Sequence, residues 1–249
     1  MHSHDDSVIT ESVDCTVAFH LLGQIDELAC RDLQWELAEQ ASLYGKATIL
    51  LCEHPRLITV GRQGSWRDIR FTADELRRRQ LAVRWVSRSG GTILHGPGQL
   101  AVYPVVPLDW FGWSEEELEC RLLTAIADAL GQLGFPCRPH PELHGIWGRA
   151  GQLVASGVDS WCKASRFGAY INVHPSMTES GYLETTSNFP AGSRNGSMSC
   201  LLAEQRRPVR MSKVRSVVIE EFARQLGSDD YHLYTGAPPL MDGRQVDGS

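Results

Sequence analysis

The stretch richest in groups that could do chemistry runs Arg88-Ser89-Gly90-Gly91-Thr92-Ile93-Leu94-His95-Gly96-Pro97-Gly98-Gln99-Leu100. Paired glycines give the backbone positive φ and let a ligand approach main-chain amides closely. Arg88 offers a guanidinium for a phosphate or carboxylate, and His95 sets an imidazole beside a rigid Gly-Pro-Gly turn. A wide hairpin carrying one hydrogen-bonded histidine has the same composition, so the residues alone leave both readings open. No Gly-Lys-Ser/Thr follows, which excludes a P-loop, and no G-x-G-x-x-G opens a helix, which excludes a dinucleotide fingerprint.

Seven cysteines (15, 30, 52, 120, 137, 162 and 200) are scattered without a C-x-x-C pair. The odd count predicts free thiols rather than a disulfide framework or a zinc site, so no metal and no cofactor is expected. Cys162 adjoins Lys163, but strand neighbours face opposite sides, which weakens any pairing of the two. His2 and His4 read as part of a solvated, mobile end rather than a metal tract.

Several elements must position these groups. Thr16–Leu22, Ala47–Cys52, Leu57–Val60, Leu81–Val86 and Leu100–Val106 read as apolar strands, with the Gly-rich segment as the loop between the last two. A helix over Glu27–Leu43 carries an apolar stripe of Leu28, Leu33, Leu37 and Ala41. A second helix, Glu115–Leu133, opens on Ser114 with Glu117 as a capping box. The charged residues 66–80 predict a surface helix or loop. Gly145–Trp147 and Leu153–Val158 form a hairpin through residues 148–151, Phe167–Val173 is a further strand, and a helix around Lys213–Leu226 turns Val214, Val217, Val218 and Phe222 inward. No strand–helix alternation of the parallel kind stands out, and hairpins with a few long helices point to an α+β fold. Residues 1–15 read as a flexible segment, 16–226 as one domain and 227–249 as a flexible tail.

The 249 residues suffice for one large core, with 42% hydrophobic and 22% charged residues. A net charge of −6 argues against non-specific nucleic-acid binding. No apolar run approaches a bilayer span, and the opening MHSHDDSVITESVDC lacks an apolar signal region, so a cytoplasmic protein with no membrane partner is expected.

Across residues 16–226 the chain resembles the lipoyl(octanoyl) transferases of lipoate biosynthesis. The resemblance is carried by SGGTILHGPGQLAVYPVVPLD, LLGQIDELACRDLQWELAEQ, ILLCEHPRLITVGRQG, HGIW followed by QLVASGV, and GAYINV, in that order. It implies the mixed α+β fold of lipoate and biotin protein ligases, which is class II synthetase-like, with packed helices on mixed or antiparallel sheets. It also implies transfer of an octanoyl group from acyl carrier protein to a lysine on lipoyl domains of 2-oxoacid dehydrogenase or glycine cleavage proteins. Acyl contacts are then expected from Arg88, Ser89, Gly90, Gly91, Thr92, Ile93, Leu94 and His95, from Ala155, Ser156 and Gly157, and from Gly168, Ala169 and Tyr170. Ser89 stands where many members have glycine, and Tyr170 is larger than the usual alanine.

The same resemblance implies a covalent mechanism, in which a cysteine takes the acyl group as a thioester beside a lysine that favours the thiolate. At those positions this chain has Ala191 and Gln152, and the usual histidine before Gly168 is Phe167. Alanine has no nucleophile and glutamine no charge. Cys200, near a helix start, and Cys137, before the hairpin, are the substitutes to weigh; each reads first as an unreactive buried thiol. The resemblance thus leaves an octanoyltransferase with an altered catalytic group, or a catalytically silent acyl- or lipoyl-domain-binding protein. An adenylate-forming ligase of the same fold ranks last, because its phosphate-holding lysine also falls at Gln152.

Overall fold

A computed structural model of the chain describes residues 17–139, 145–184, 198–205, 208–228 and 230–240. Ala191, the expected flexible residues 1–15 and the end of the expected tail lie outside them. The elements in order are β1 (Val17–Gln24), α1 (Glu27–Tyr44), β2 (Ala47–Glu53), β3 (Leu57–Val60), α2 (Ala73–Arg79), β4 (Ala82–Trp85), β5 (Thr92–His95) and β6 (Gln99–Val105). There follow α3 (Leu108–Phe111), α4 (Glu115–Gln132), β7 (Ile146–Trp147), β8 (Gln152–Trp161), β9 (Ala164–Asn172), α5 (Leu201–Gln205), α6 (Met211–Gln225) and β10 (Tyr231–Thr235). Seven strands form a mixed sheet ordered β10-β1-β2-β6-β9-β8-β7, and β4-β3-β5 form a second, smaller one.

The large sheet is covered on both faces, which explains its nearly unbroken apolar strands. Ile49 and Leu51 of β2, Leu100 and Val102 of β6, and Ala169 and Ile171 of β9 join the core under α4 and α6. Their neighbours Leu50, Cys52, Ala101, Tyr103 and Tyr170 face α1. The period of two thus sorts each strand between two cores. The α+β class stands.

Several finer expectations are corrected. β1, α1 and β2 form a parallel strand–helix–strand unit, and a single such unit leaves no repeating alternation in the sequence. Leu28 is 40% exposed, because α1 buries the face of Cys30, Leu33, Gln34, Leu37, Ala38 and Ala41, and 28 lies on the opposite side of a 3.6-residue helix. Ser114 does cap Glu117 N, but the Glu117 carboxylate pairs with Arg121 at 2.7 Å instead of closing a capping box. Cys162 and Lys163 are not strand residues. They are the two left-handed residues (φ 48° and 63°) of the tight β8–β9 turn, and Lys163 pairs with Asp109. The Gly-rich loop contains β5, which pairs antiparallel with β3. Within the range read as a flexible tail, β10 pairs in parallel with β1 as an edge strand; an exposed edge strand carries too few apolar residues to be seen in composition. Among the described residues no helix is long and apolar enough to cross a membrane.

β9 approaches β6 so closely that a Cβ on Gly168 would lie 2.2 Å from Val102 O, whereas one on Gly131 in α4 meets nothing within 4 Å. Gly168→Ala is therefore expected to cost about 3 kcal/mol through forced backbone displacement. Gly131→Ala should instead gain about 0.5–1 kcal/mol from helix propensity. Urea unfolding of the two variants reads the opposite signs.

Candidate functional site

The loop 88–91 is held by its own carbonyls. Arg88 O accepts from Arg62 N at 2.9 Å, Gly90 O from Gln63 N at 3.1 Å and Gly91 O from Gly61 N at 3.2 Å. On the other side it adds to the edge of β8: Ser89 N donates to Val158 O at 2.9 Å, and Val158 N donates to Ser89 Oγ at 2.9 Å. The Ser89 hydroxyl is thus used to pair a strand amide. Contact is so close that a Cβ on Gly157 would stand 2.1 Å from Ser89 O, and one on Gly90 2.6 Å from Ser156 O. These two positions require glycine.

Arg88 does not reach outward. It is 0% exposed, donating to Ser89 O at 3.0 Å and to Thr59 Oγ1 at 2.9 Å, with its guanidinium 5.7 Å from the Tyr170 ring centroid. Burial pulls its pKa below the ordinary arginine value. From Thr59 the bonds continue inward. Gln99 spends its amide N–H groups on Leu94 O and Asn172 Oδ1, so its carbonyl accepts from His95 Nδ1 at 2.8 Å. That fixes His95 Nε2 as the acceptor for the Thr59 hydroxyl at 2.7 Å. Asn172 Nδ2 then donates to Gln152 O at 3.1 Å. One buried chain of hydrogen bonds therefore joins Arg88, Thr59, His95, Gln99 and Asn172 to the first residue of β8. Burial holds the His95 pKa well below 6.5, with His54 and Arg88 adding to the effect, so the imidazole is neutral.

The sequence-derived residues assemble as three adjoining segments. Ala155, Ser156 and Gly157 lie opposite Tyr170, Ala169 and Gly168, and the Tyr170 ring stands 4.8 Å from His95 and 5.7 Å from Tyr103. Burial pushes the Tyr170 hydroxyl up to about 12; it occupies this wall as a neutral phenol. Ser156 Oγ donates to Glu119 of α4 at 2.6 Å, while Thr92 Oγ1 donates to Asp68 at 2.8 Å. Ile93 joins the α1-side core and Leu94 the small-sheet core.

Gln152 is 3% exposed. Its carbonyl also accepts from Ser199 N at 2.9 Å, so Cys200 follows immediately beside it. Cys200 is 2% exposed and immediately precedes α5, which has five residues. Cys137 is half-buried, and burial pushes its thiol up to about 11; at neutral pH it carries almost no thiolate. Phe167 takes a left-handed φ of 59° that turns its N–H to Gln34 Oε1 at 2.7 Å. Sequence reasoning missed Thr59, Asn172, His54 and Tyr103. His54 belongs to Glu53-His54-Pro55, which reads only as a strand break; it donates through Nδ1 to Ile25 O at 2.8 Å and accepts from the Tyr103 hydroxyl at 2.6 Å.

Residues 28–223 match the family model of the lipoyl protein ligase A/B catalytic domain. A protein named octanoyltransferase from Syntrophobacter fumaroxidans is 33% identical over 138 residues, 55% of this chain and 60% of that relative. The chain thus spans about three fifths of that relative's length. Another octanoyltransferase, from Solibacter usitatus, is 33% identical over 167 residues, 65% of this chain and 74% of the relative. Among solved structures, a lipoate-protein ligase A bound with ATP has the same fold, with a TM-score of 0.69 at 17% identity over 88% of this chain and 89% of the other.

A histidine whose folded pKa lies below 6.5 stabilises the fold fully above that pH. Below it the unfolded chain takes up the proton first, so stability falls as pH falls. Wild-type protein should lose up to about 1.4 kcal/mol per pH unit below pH 6.5 through His95. His95→Gln should flatten that slope, measured by denaturant unfolding between pH 7 and pH 5. Thr59→Val, which strands both Arg88 and His95, should cost about 1–3 kcal/mol.

Proposed function

Since the chain belongs to the lipoyl protein ligase A/B catalytic-domain family, we propose that it recognises octanoyl-carrier and lipoyl-protein partners without forming the family's acyl-thioester. The observation that carries this reading is Gln152: at the position where the resemblance puts the lysine, the side chain is neutral and buried in β8. Thioester exchange needs a thiolate to attack the acyl carbonyl and a cation to favour that thiolate. Ala191 has no sulfur and Gln152 no charge, and the high Cys137 pKa disfavours it as a replacement. The Gly-rich loop and its partners Ser156, Gly157 and Gly168 stand together where the resemblance puts the acyl contacts, which supports recognition of an acyl chain. The acceptor in this reading is a lipoyl domain, and the donor an octanoyl-acyl carrier protein.

A second reading, transfer through Cys200, is favoured by one specific contact, the Ser199 N–H bond to Gln152 O. Intact-mass analysis after incubation with octanoyl-acyl carrier protein separates the two. The expected result is no octanoyl adduct, with complex formation still detectable by titration. An adduct mapped to Cys200 overturns the silent reading in favour of transfer.

Ala191→Cys combined with Gln152→Lys is expected to raise octanoyl transfer to a lipoyl domain by at least about 100-fold over the parent chain. Each single substitution should fall far short of that. A double variant that binds the carrier but stays inactive would move the defect to Phe167 and the acyl wall.

A further inference from the structure

One row of side chains crosses the large sheet on the face that meets α1. Cys52 of β2 stands opposite Ala101 of β6, Ala101 opposite Tyr170 of β9, and Tyr170 opposite Ala155 of β8. Directly opposed side chains start about 4.5–5.5 Å apart, so the three small residues leave a trough and Tyr170 is the large group standing in it. The row is buried in one core with Ile93 of β5, and α1 lays Cys30, Leu33, Leu37 and Ala38 against it. On the β2 side the Cys30 and Cys52 sulfurs come within 4.0 Å of each other.

The ring is fixed where it stands. Tyr170 is fully enclosed, and its ring meets those of His95 and Tyr103 at 64° and 78°, the edge-to-face contacts that aromatic quadrupoles favour. The Arg88 guanidinium closes a third side. Each of these neighbours is itself held: His95 by Gln99 and Thr59, Tyr103 by His54 and Arg88 by Thr59. A phenol standing among methyl groups takes up about the room of four methylenes, and a close-packed core does not yield that room. Nor is there overflow beyond His95. The cavity there, lined by Leu94, Pro97, Pro175 and Met198, holds about 40 Å³, enough for a few water molecules and too little for the end of a chain.

We propose that Tyr170 sets the length of the acyl chain received at this wall, stopping it at about four carbons instead of eight. The assignment rests on the proposed reading that the 88–95 loop, β8 and β9 receive an acyl chain, and it narrows the class of chain. A short acyl group on its carrier fills the trough up to the ring, while the last methylenes of an octanoyl group are left outside. A buried methylene is ordinarily worth about fourfold in affinity. An open trough would therefore favour an octanoyl over a butyryl group by about 100-fold or more, and the ring removes that gain.

Titration of the full-length protein with acyl carrier protein bearing butyryl, hexanoyl or octanoyl groups reads this ladder. The wild type is expected to bind the butyryl carrier at least as tightly as the octanoyl carrier. Tyr170→Ala should shift the preference toward octanoyl by about 10-fold or more, whereas Tyr170→Phe, which keeps the ring, should keep the short-chain preference. Wild-type affinity that keeps rising from butyryl to octanoyl overturns the assignment, and this comparison decides even if the alanine variant fails to fold. A folded alanine variant with the wild-type order overturns it as well. In both cases recognition of the carrier stands. If no acyl carrier binds more tightly than the unacylated carrier, acyl recognition itself fails and the chain-length assignment falls with it.

Discussion

Everything near the Gly-rich loop depends on satisfying polar groups where water does not reach. Arg88, Thr59, His95, Gln99 and Asn172 are buried together, and an unpaired member would cost more than any one of their bonds contributes. The solution is directional. Each group has its donor and acceptor roles fixed by the next, so the neutral tautomer of His95 is set by Gln99, and Gln99 by Asn172. The loop, the small sheet and the centre of the large sheet are consequently held in one register, and the glycines at 90 and 157 let the backbones close to the distance the chain demands.

Such a chain explains what could be read in advance and what could not. α4 and α6 announce themselves through apolar residues at helical spacing and through Ser114, because a helix is specified by neighbours in sequence. β5 and β10 do not: four or five residues define no period, and their partners β3 and β1 are remote. The Gly-rich segment was legible because glycine pairs and a lone histidine are unusual in composition. Thr59 was not, since one hydroxyl in a strand of Leu57, Ile58 and Val60 reads as ordinary β-propensity until its partners at 88 and 95 are known. His54 and Tyr103 were hidden in the same way, and so was the juxtaposition of Cys30 with Cys52, 22 residues apart.

Recognition and reaction also rest on different physical demands. In the proposed reading a binding wall needs shape and satisfied backbone, which β8, β9 and the 88–91 loop would supply through glycine contacts and strand pairing. Thioester chemistry needs two particular side chains, and in the proposed reading Gln152 stands in place of one of them while β8 keeps its pairing with β9. Gln152 still opens β8, still receives the Asn172 bond and still anchors the segment at Ser199. The frame is thereby indifferent to whether the reaction is present.

The terminal strands have a mechanical consequence. β1 and β10 run in parallel, with Val17 opposite Tyr231 and Leu21 opposite Thr235. Tension applied through the chain before β1 and after β10 pulls these strands past one another along their length, so their ladder is loaded in shear with all its hydrogen bonds sharing the force. An antiparallel pairing of the same strands would open like a zipper, one bond at a time. The shear arrangement makes the seam between the first and last strands the fold's main resistance to being drawn out, although β10 is among its least buried elements.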